Sequence, residues 1–412
     1  MKPCLLWTVL VALSIAMPAS GRQADEQQLT LDRCVAVALE RNPRVLASRE
    51  DHRAAVARVN QARALPQPVF ALDSDLQPRP FHFAGSAERY LGVVQTIEFP
   101  GKRAARGGMA ATEAGQVEAD ADLLRLELTY EVTEAFNNVL LAEERLKHAE
   151  EDRRLSREFL SQTELKHETG DVAQVEVLRA RLEASQAEAA VRVAANDVTL
   201  GKARLNFLLA RPEDAQLSVL GALKQPSVLL DLSELKHRAL SLRPELKRVQ
   251  FSVDRERLHT RQASLAYFPD FEVGFAQHSL SGQPQSWDVT LSLPIPLFFW
   301  QSKKGEIAEA QATLAGAQRE LEHLRGAIGL EVEQAYRKTL TAQQQIDLFE
   351  REILKQAEEA YQMFAFSYAE GEIGGLELIA ARRTLLQARQ SYAQALYDSN
   401  VAVAALNRAV GR

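Results

Sequence analysis

The sequence predicts an α+β membrane protein in which a strand pair followed by long coiled-coil helices occurs twice. Three observations predict it. An export signal opens the chain, the two halves match at a fixed offset, and the candidate membrane-crossing segments are short and alternating rather than long and apolar.

The signal comes first. Lys2 supplies a positive start, Leu5 to Met17 is apolar, and Ala19-Ser20-Gly21 offers small residues for cleavage, so residues 1–21 are set aside as a signal peptide. With 412 residues, 46% of them hydrophobic and 25% charged, the chain has the composition of an ordinary globular protein and can bury a core. The mature part carries about 48 basic and 55 acidic side chains, a net charge near −7 that gives no reason to expect nucleic acid. Cys34 alone remains, which excludes an internal disulfide and a cysteine-based zinc site. Neither cysteine suits lipid attachment, since Cys4 lies at the wrong end of the signal and Cys34 follows Leu31-Asp32-Arg33. No run of 18 apolar residues follows the signal, and Leu291 to Trp300 is broken by Pro294 and Pro296. Any membrane crossing is therefore by strands.

The halves match at an offset of about 201. Ala38-Leu39-Glu40-Arg41-Asn42-Pro43 aligns with Ala239-Leu240-Ser241-Leu242-Arg243-Pro244, Glu131 to Phe136 with Glu331 to Tyr336, and Leu205-Asn206 with Leu406-Asn407. A first repeat is assigned to 22–210, with a hairpin over 69–99 and a helix pair over 102–210. A linker follows over 211–230, and then a second repeat over 231–412, with a hairpin over 271–295 and a helix pair over 302–410. In the first repeat one helix is expected from about Asp32 to Leu65, stopped by Pro66 and Pro68.

Strands are expected at Val69 to Asp75 and Arg89 to Phe99, around a loop with Pro78, Pro80 and Gly85. The second pair is expected at Phe271 to His278 and Trp287 to Ile295, around Ser281-Gly282-Gln283-Pro284. Trp287, Val289, Leu291, Leu293 and Ile295 share one face against Asp288, Thr290 and Ser292. Phe271, Val273 and Phe275 repeat the pattern, as do Leu91, Val93, Ile97 and Phe99, with Gln95 as an exception. A half-buried antiparallel sheet in a soluble domain gives the same alternation. Tyr267-Phe268 and Phe298-Phe299-Trp300 at strand ends favour the membrane, where aromatic belts mark the interfaces.

Helical periodicity is strongest from Leu128 through Val132, Ala135, Val139, Ala142, Leu146 and Ala149, and again from Ile328 to Ile353. The partner helices carry small residues: Ala180, Ala184, Ala187, Val191 and Ala194 in one, Ala381, Leu385, Ala388 and Ala395 in the other. Lys102 to Lys166 gives roughly 100 Å of helix, and the two flanking helices together roughly 108 Å, so one continuous rod can pair with two stacked ones.

These features together resemble the outer membrane efflux protein family, of which TolC is the namesake. The run Gln95-Thr96-Ile97-Glu98-Phe99-Pro100-Gly101-Lys102-Arg103-Ala104-Ala105-Arg106 resembles the strand-to-helix junction of its heavy-metal, CzcC-like branch. The resemblance implies an outer-membrane homotrimer whose twelve strands close one β-barrel above a periplasmic α-helical barrel. It also implies two partners, a periplasmic adaptor (membrane fusion protein) and an inner-membrane RND-type pump. Four strands cannot close a membrane barrel alone, which supports the trimer independently. The implied function is passive conduction of pumped substrate, foremost heavy-metal cations, then drugs or organic solutes, then polypeptide secretion. A soluble periplasmic coiled-coil adaptor or scaffold is the alternative from another class.

The turns Thr169-Gly170-Asp171 and Glu370-Gly371-Glu372 are the expected adaptor-docking tips, where glycine also serves an ordinary helix–helix turn. Glu377 and Glu176 each lie six residues past a tip glycine, and the family has an aperture-narrowing aspartate at the position of Glu377. A second family aspartate falls at Ala380 here, and solvated helix-surface glutamates are the plain alternative. His167-Glu168 beside Asp171 reads as an ordinary polar tip. No metal site, cofactor or catalytic residue is expected: nucleophile-elbow, P-loop and dinucleotide motifs are absent, and Gly107-Gly108 and Gly374-Gly375 lack the strand–turn–helix setting.

Overall fold

A computed structural model describes residues 29–75, 87–226, 231–280, 282–295 and 298–412. The expected signal peptide, the loop with Pro78, Pro80 and Gly85, and Ser281 lie outside the described residues.

Each repeat begins with two helices rather than one. Helices α1 (Leu31–Arg41) and α2 (Pro43–Arg63) replace the single helix expected from Asp32 to Leu65. Asn42 stands before Pro43, takes extended backbone at ψ 127°, and accepts the Arg44 N–H on its side chain at 2.9 Å. The same break separates α5 (Leu232–Leu242) from α6 (Pro244–Leu265) at Arg243. Asn42 and Arg243 do the same work with different chemistry. Asn42 Nδ2 donates to the Leu208 carbonyl at 2.9 Å, and Arg243 Nη1 donates to the Ala409 carbonyl at 3.1 Å, each reaching the carboxyl end of its repeat's last helix.

Strands β1 (Val69–Asp75), β2 (Glu88–Ile97), β3 (Phe271–Leu280) and β4 (Ser286–Ser292) form one antiparallel sheet in that order, so the two hairpins join through β2 and β3. Below it run α3 (Lys102–Glu168) and α4 (Gln174–Leu208) of the first repeat. In the second repeat α7 (Phe299–Leu348) continues through a five-residue π turn, Phe349–Ile353, into α8 (Leu354–Ala369), and α9 (Gly375–Val410) returns. The 67 residues of α3 make a rod of roughly 100 Å. No helix is long and apolar enough to cross a membrane among the described residues.

Lateral order follows from the packing. Near the sheet the order is α2, α3, α6, α7, and far from it α4, α3, α9, α8. The rods α3 and α7–α8 thus run the full height, while α2 over α4 and α6 over α9 fill the places beside them. One edge of the chain is β1, α2 and α4, the other β4, α7 and α8.

Duplication is visible in the cores. Leu128, Val132 and Leu205 pack with Val37 and Ala38, and Ile328, Val332 and Leu406 pack with Leu235 and Ala239. The residues after α4 do not hang free as a linker: Leu29 bridges Val219 in a parallel pair, Leu217 is buried in the first core, and the Asn400 side chain donates to the Lys224 carbonyl at 3.0 Å.

The π turn resolves a mismatch between the repeats. Val132 and Val332, Val139 and Thr339, and Ala149 and Phe349 are buried pairs 200 positions apart, whereas the buried pair Ser156 and Ala357 and the exposed tip glycines Gly170 and Gly371 are 201 positions apart. Between Ala149 and the tip in the first rod, and Phe349 and the tip in the second, the second rod therefore contains one more residue than the first. A turn bonded i to i+5 takes up one extra residue without rotating the helix beyond it.

Candidate functional site

The sheet has two unlike faces. Across it run the rows Phe70, Val93, Phe275, Val289 and Leu72, Leu91, Gln277, Trp287, and most of these large apolar side chains are exposed, Val289 by 73%. Phe275 and Trp287 stack at 5.0 Å between ring centres. An apolar surface of this extent on one face of a four-stranded sheet is not stable in water. The opposite rows are small or polar: Ala71, Gly92, Ala276, Asp288 and Asp73, Tyr90, His278, Ser286. A Cβ on Gly92 would meet the Ala276 Cβ at 2.6 Å, so this face is closely packed. His278 Nε2 lies 2.9 Å from Glu88 Oε1 and its ring stacks on Tyr90 at 4.3 Å. Gln95, the exception to the alternation, sits at the helix-side end of β2, where Nε2 donates to the Pro66 carbonyl at 2.9 Å.

Polar contacts fix the sheet to the rods. Asp270 accepts from the Phe99 N–H at 2.7 Å and from Lys102 Nζ at 2.9 Å, tying the second repeat to the start of α3. Arg106 pairs with Glu98 and donates Nε to the Ala62 carbonyl at 2.8 Å, while Phe99 stacks on Phe268 at 4.4 Å. The conspicuous residues of the run 95–106 thus serve this junction.

At the far end, Gly170 and Gly371 adopt φ +82° and +79°, and the same six-to-one bond closes each turn, from the Asp171 N–H to the Lys166 carbonyl at 2.8 Å and from the Glu372 N–H to the Ser367 carbonyl at 2.9 Å. Thr169 Oγ1 donates to Asp171 at 2.7 Å, and Ser367 Oγ donates to Glu372 at 3.0 Å. The two turns lie side by side: Phe159, Ala180, Tyr368 and Ile379 share one core, and Lys166 Nζ donates to the Tyr368 carbonyl at 3.4 Å. Both ends are open, with nothing within 4 Å of a Cβ built on either tip glycine. His167 is turned inward, its Nδ1 2.9 Å from the Val172 carbonyl.

Glu176 and Glu377 both occupy the first turn of a helix, where negative charge is favoured. They differ otherwise. Glu176 is ion-paired with Arg179 at 2.9 Å, whereas Glu377 is exposed with no ionic partner within its own chain among the described residues. Among the described residues no group of three or more His, Cys, Asp or Glu side chains is placed to hold a metal ion.

Above the tips lies a set of ion pairs that sequence reading missed. Arg382 of α9 is only 7% exposed and lies 3.3 Å from Asp152 of α3 and 3.2 Å from Glu183 of α4, with Arg383 also on Glu183. Arg389 spans Glu151 at 3.1 Å and Glu358 at 3.2 Å. Burial holds the Asp152 carboxyl above the usual carboxylate range, outweighing the opposing pull of Arg382. The one clue in the sequence is Arg382-Arg383 beside a stripe of small residues.

Comparison with known proteins follows this geometry. The family model "Outer membrane efflux protein" matches residues 35–211 and 235–412. The chain is 24% identical over 392 residues to the cobalt-zinc-cadmium resistance protein CzcC of Cupriavidus metallidurans, covering 93% of this chain and 90% of that one. Among solved structures it superposes on the outer-membrane channel OprN with TM-score 0.79 at 20% identity, covering 92% of this chain and 89% of that one. On CusC the TM-score is 0.77 at 17% identity, with 92% of each chain covered. The chain belongs to the outer membrane efflux protein family, as an outer-membrane channel protein reaching into the periplasm and not an enzyme.

Proposed function

We propose that three copies of the chain close one duct and that this duct conducts, passively, a substrate delivered by an inner-membrane RND-type pump and a periplasmic adaptor. One observation carries the reading: an exposed apolar sheet that, among the described residues, has four strands and bare edges continues into rods of roughly 100 Å. Bare edges are untenable in lipid, and eight strands is the usual minimum for a membrane barrel, so copies must join edge to edge. The small and polar sheet face then lines the bore. The tips Thr169-Gly170-Asp171 and Glu370-Gly371-Glu372 are the docking points for the adaptor, and Glu377, with Glu176 in a lesser role, stands at the periplasmic aperture.

Heavy-metal cations are the proposed cargo. Support comes from the printed name of the CzcC relative and from the junction run that resembles that branch. Drug or organic solute export, or a type I secretion duct, is the second reading. Deletion of the gene tests both. Loss of tolerance to cobalt, zinc or cadmium, restored by the cloned chain, is expected; loss of drug tolerance alone overturns the metal assignment.

A further inference from the structure

The polar face of the sheet carries an unbalanced charge. Among the described strand residues it bears five carboxylates, Asp73, Asp75, Glu88, Glu272 and Asp288, and no Lys or Arg, because Arg89 falls on the apolar face in the row Ser74, Arg89, Ser279. All but Glu272 lie in the half of the sheet away from the rods. Asp75 and Glu88 stand directly opposite each other across β1 and β2, an arrangement that destabilises a sheet. No strand residue described on this face offsets these charges permanently.

His278 of β3 can offset them on demand. It lies opposite Tyr90 of β2, and the two rings stack at 4.3 Å. Its Nε2 is 2.9 Å from Glu88 Oε1 and its Nδ1 is 3.9 Å from Asp288 Oδ2, so the imidazole spans carboxylates of β2 and β4. Tyr90 also donates its hydroxyl to Glu88 at 2.7 Å, and Asp73 and Asp75 of β1 complete the surroundings, opposite Tyr90 and Glu88 in register. Stacking and these polar contacts hold the ring at the face. A Lys or Arg at this position would oppose one carboxylate at every pH, whereas an imidazole does so only when protonated. Histidine is the side chain that makes this change between about pH 5 and 8.

We infer that His278 sets the ion selectivity of the bore: neutral, it leaves the half away from the rods strongly cation-preferring, and protonated, it weakens that preference. The inference rests on the reading that this face lines the duct, and deepens it by naming the residue that tunes passage there. Protonation opposes one charge in five on each copy. Where the potential of such a surface amounts to several kT, losing one fifth of it changes the cation-to-anion permeability ratio about twofold.

Reversal potentials of the full chain in planar bilayers test it, in a KCl gradient near about 10 mM, where the screening length is about 30 Å. The wild-type cation-to-anion ratio should fall about twofold from about pH 8 to about pH 5.5. His278→Gln, which keeps a donor for Glu88, should hold the high ratio across that range, and His278→Arg the low one. Asp288→Asn should lower the ratio at every pH and keep the step. A step that persists in His278→Gln, or a ratio in His278→Arg equal to that of the wild type at the alkaline end, overturns the inference. Thr290→Cys on a Cys34→Ser background separates the two levels, since Thr290 shares the polar face. If a charged, membrane-impermeant methanethiosulfonate changes its conductance while His278→Gln keeps the step, the bore stands and His278 is removed from it. No change with the reagent overturns the assignment of this face to the bore, and the inference with it.

Discussion

Arg382 of α9 lies 3.3 Å from Asp152 of α3, and this pair joins the helices of the second repeat to those of the first in a place where neither side chain sees much water. Breaking such a pair leaves an uncompensated charge inside. Arg382→Ala leaves Asp152 and Glu183 facing each other and is expected to cost about 3–5 kcal/mol, read as a lower denaturation midpoint.

The same pair predicts a pH dependence with a definite sign. Burial raises the folded-state pKa of Asp152 above its ordinary 3.8. Folded protein therefore binds this proton more readily than unfolded protein does, and the stability from that preference is complete below the ordinary value and lost as pH climbs through the raised one. Asp152→Asn cannot titrate. Wild-type stability relative to Asp152→Asn should fall as pH rises from the acid side of that window to neutrality, and a difference that stays constant or grows would falsify the assignment.

Cys34 is fully buried, and burial pushes its thiol up to about 11 against the opposing influence of Arg211. A maleimide at neutral pH should leave it unmodified in the folded protein and label it fully after denaturation. Rapid native labelling would mean that α1 opens from α3.

Glu377 and Glu176 are expected to be unequal at the aperture, because only Glu176 has an ionic partner in its own chain among the described residues. In planar bilayers Glu377→Gln should weaken block by divalent cations severalfold, and Glu176→Gln less. Unchanged conductance and block in Glu377→Gln would remove it from the aperture.

At the tips, the positive φ of Gly170 and Gly371 makes a side chain cost roughly 1–2 kcal/mol of backbone strain, while the open surroundings offer no clash. Gly170→Val and Gly371→Val should therefore still assemble in the membrane but lose export. Normal export by both variants would count against docking at these turns.

Periodicity made much of this legible. Stripes such as Leu128, Val132 and Val139 mark buried faces, and the alternation around Val289 marks the outward sheet face. Where the sequence misled, local chemistry had outweighed period: Asn42 before Pro43 splits an otherwise helical stretch. The Arg382 set was hidden for another reason. Glu183 stands 199 positions from Arg382, and no local pattern reports a partner that distant.

The π turn at Phe349–Ile353 acts as a phase corrector. An added residue in an unbroken α-helix turns everything beyond it by about 100°, which would have swung Tyr368 out of its core. Confined to one widened turn, the addition leaves the last sixteen residues of the rod pointing as their counterparts in the first repeat do. A duct wall of such rods can therefore accept a length change in one strand of its ancestry without resetting the mouth, and the widened turn dates that change to after the duplication. Deleting one residue within 349–353 should turn the segment into regular α-helix and preserve the tip, whereas deleting one residue from the regular stretch of α3 should misdirect it.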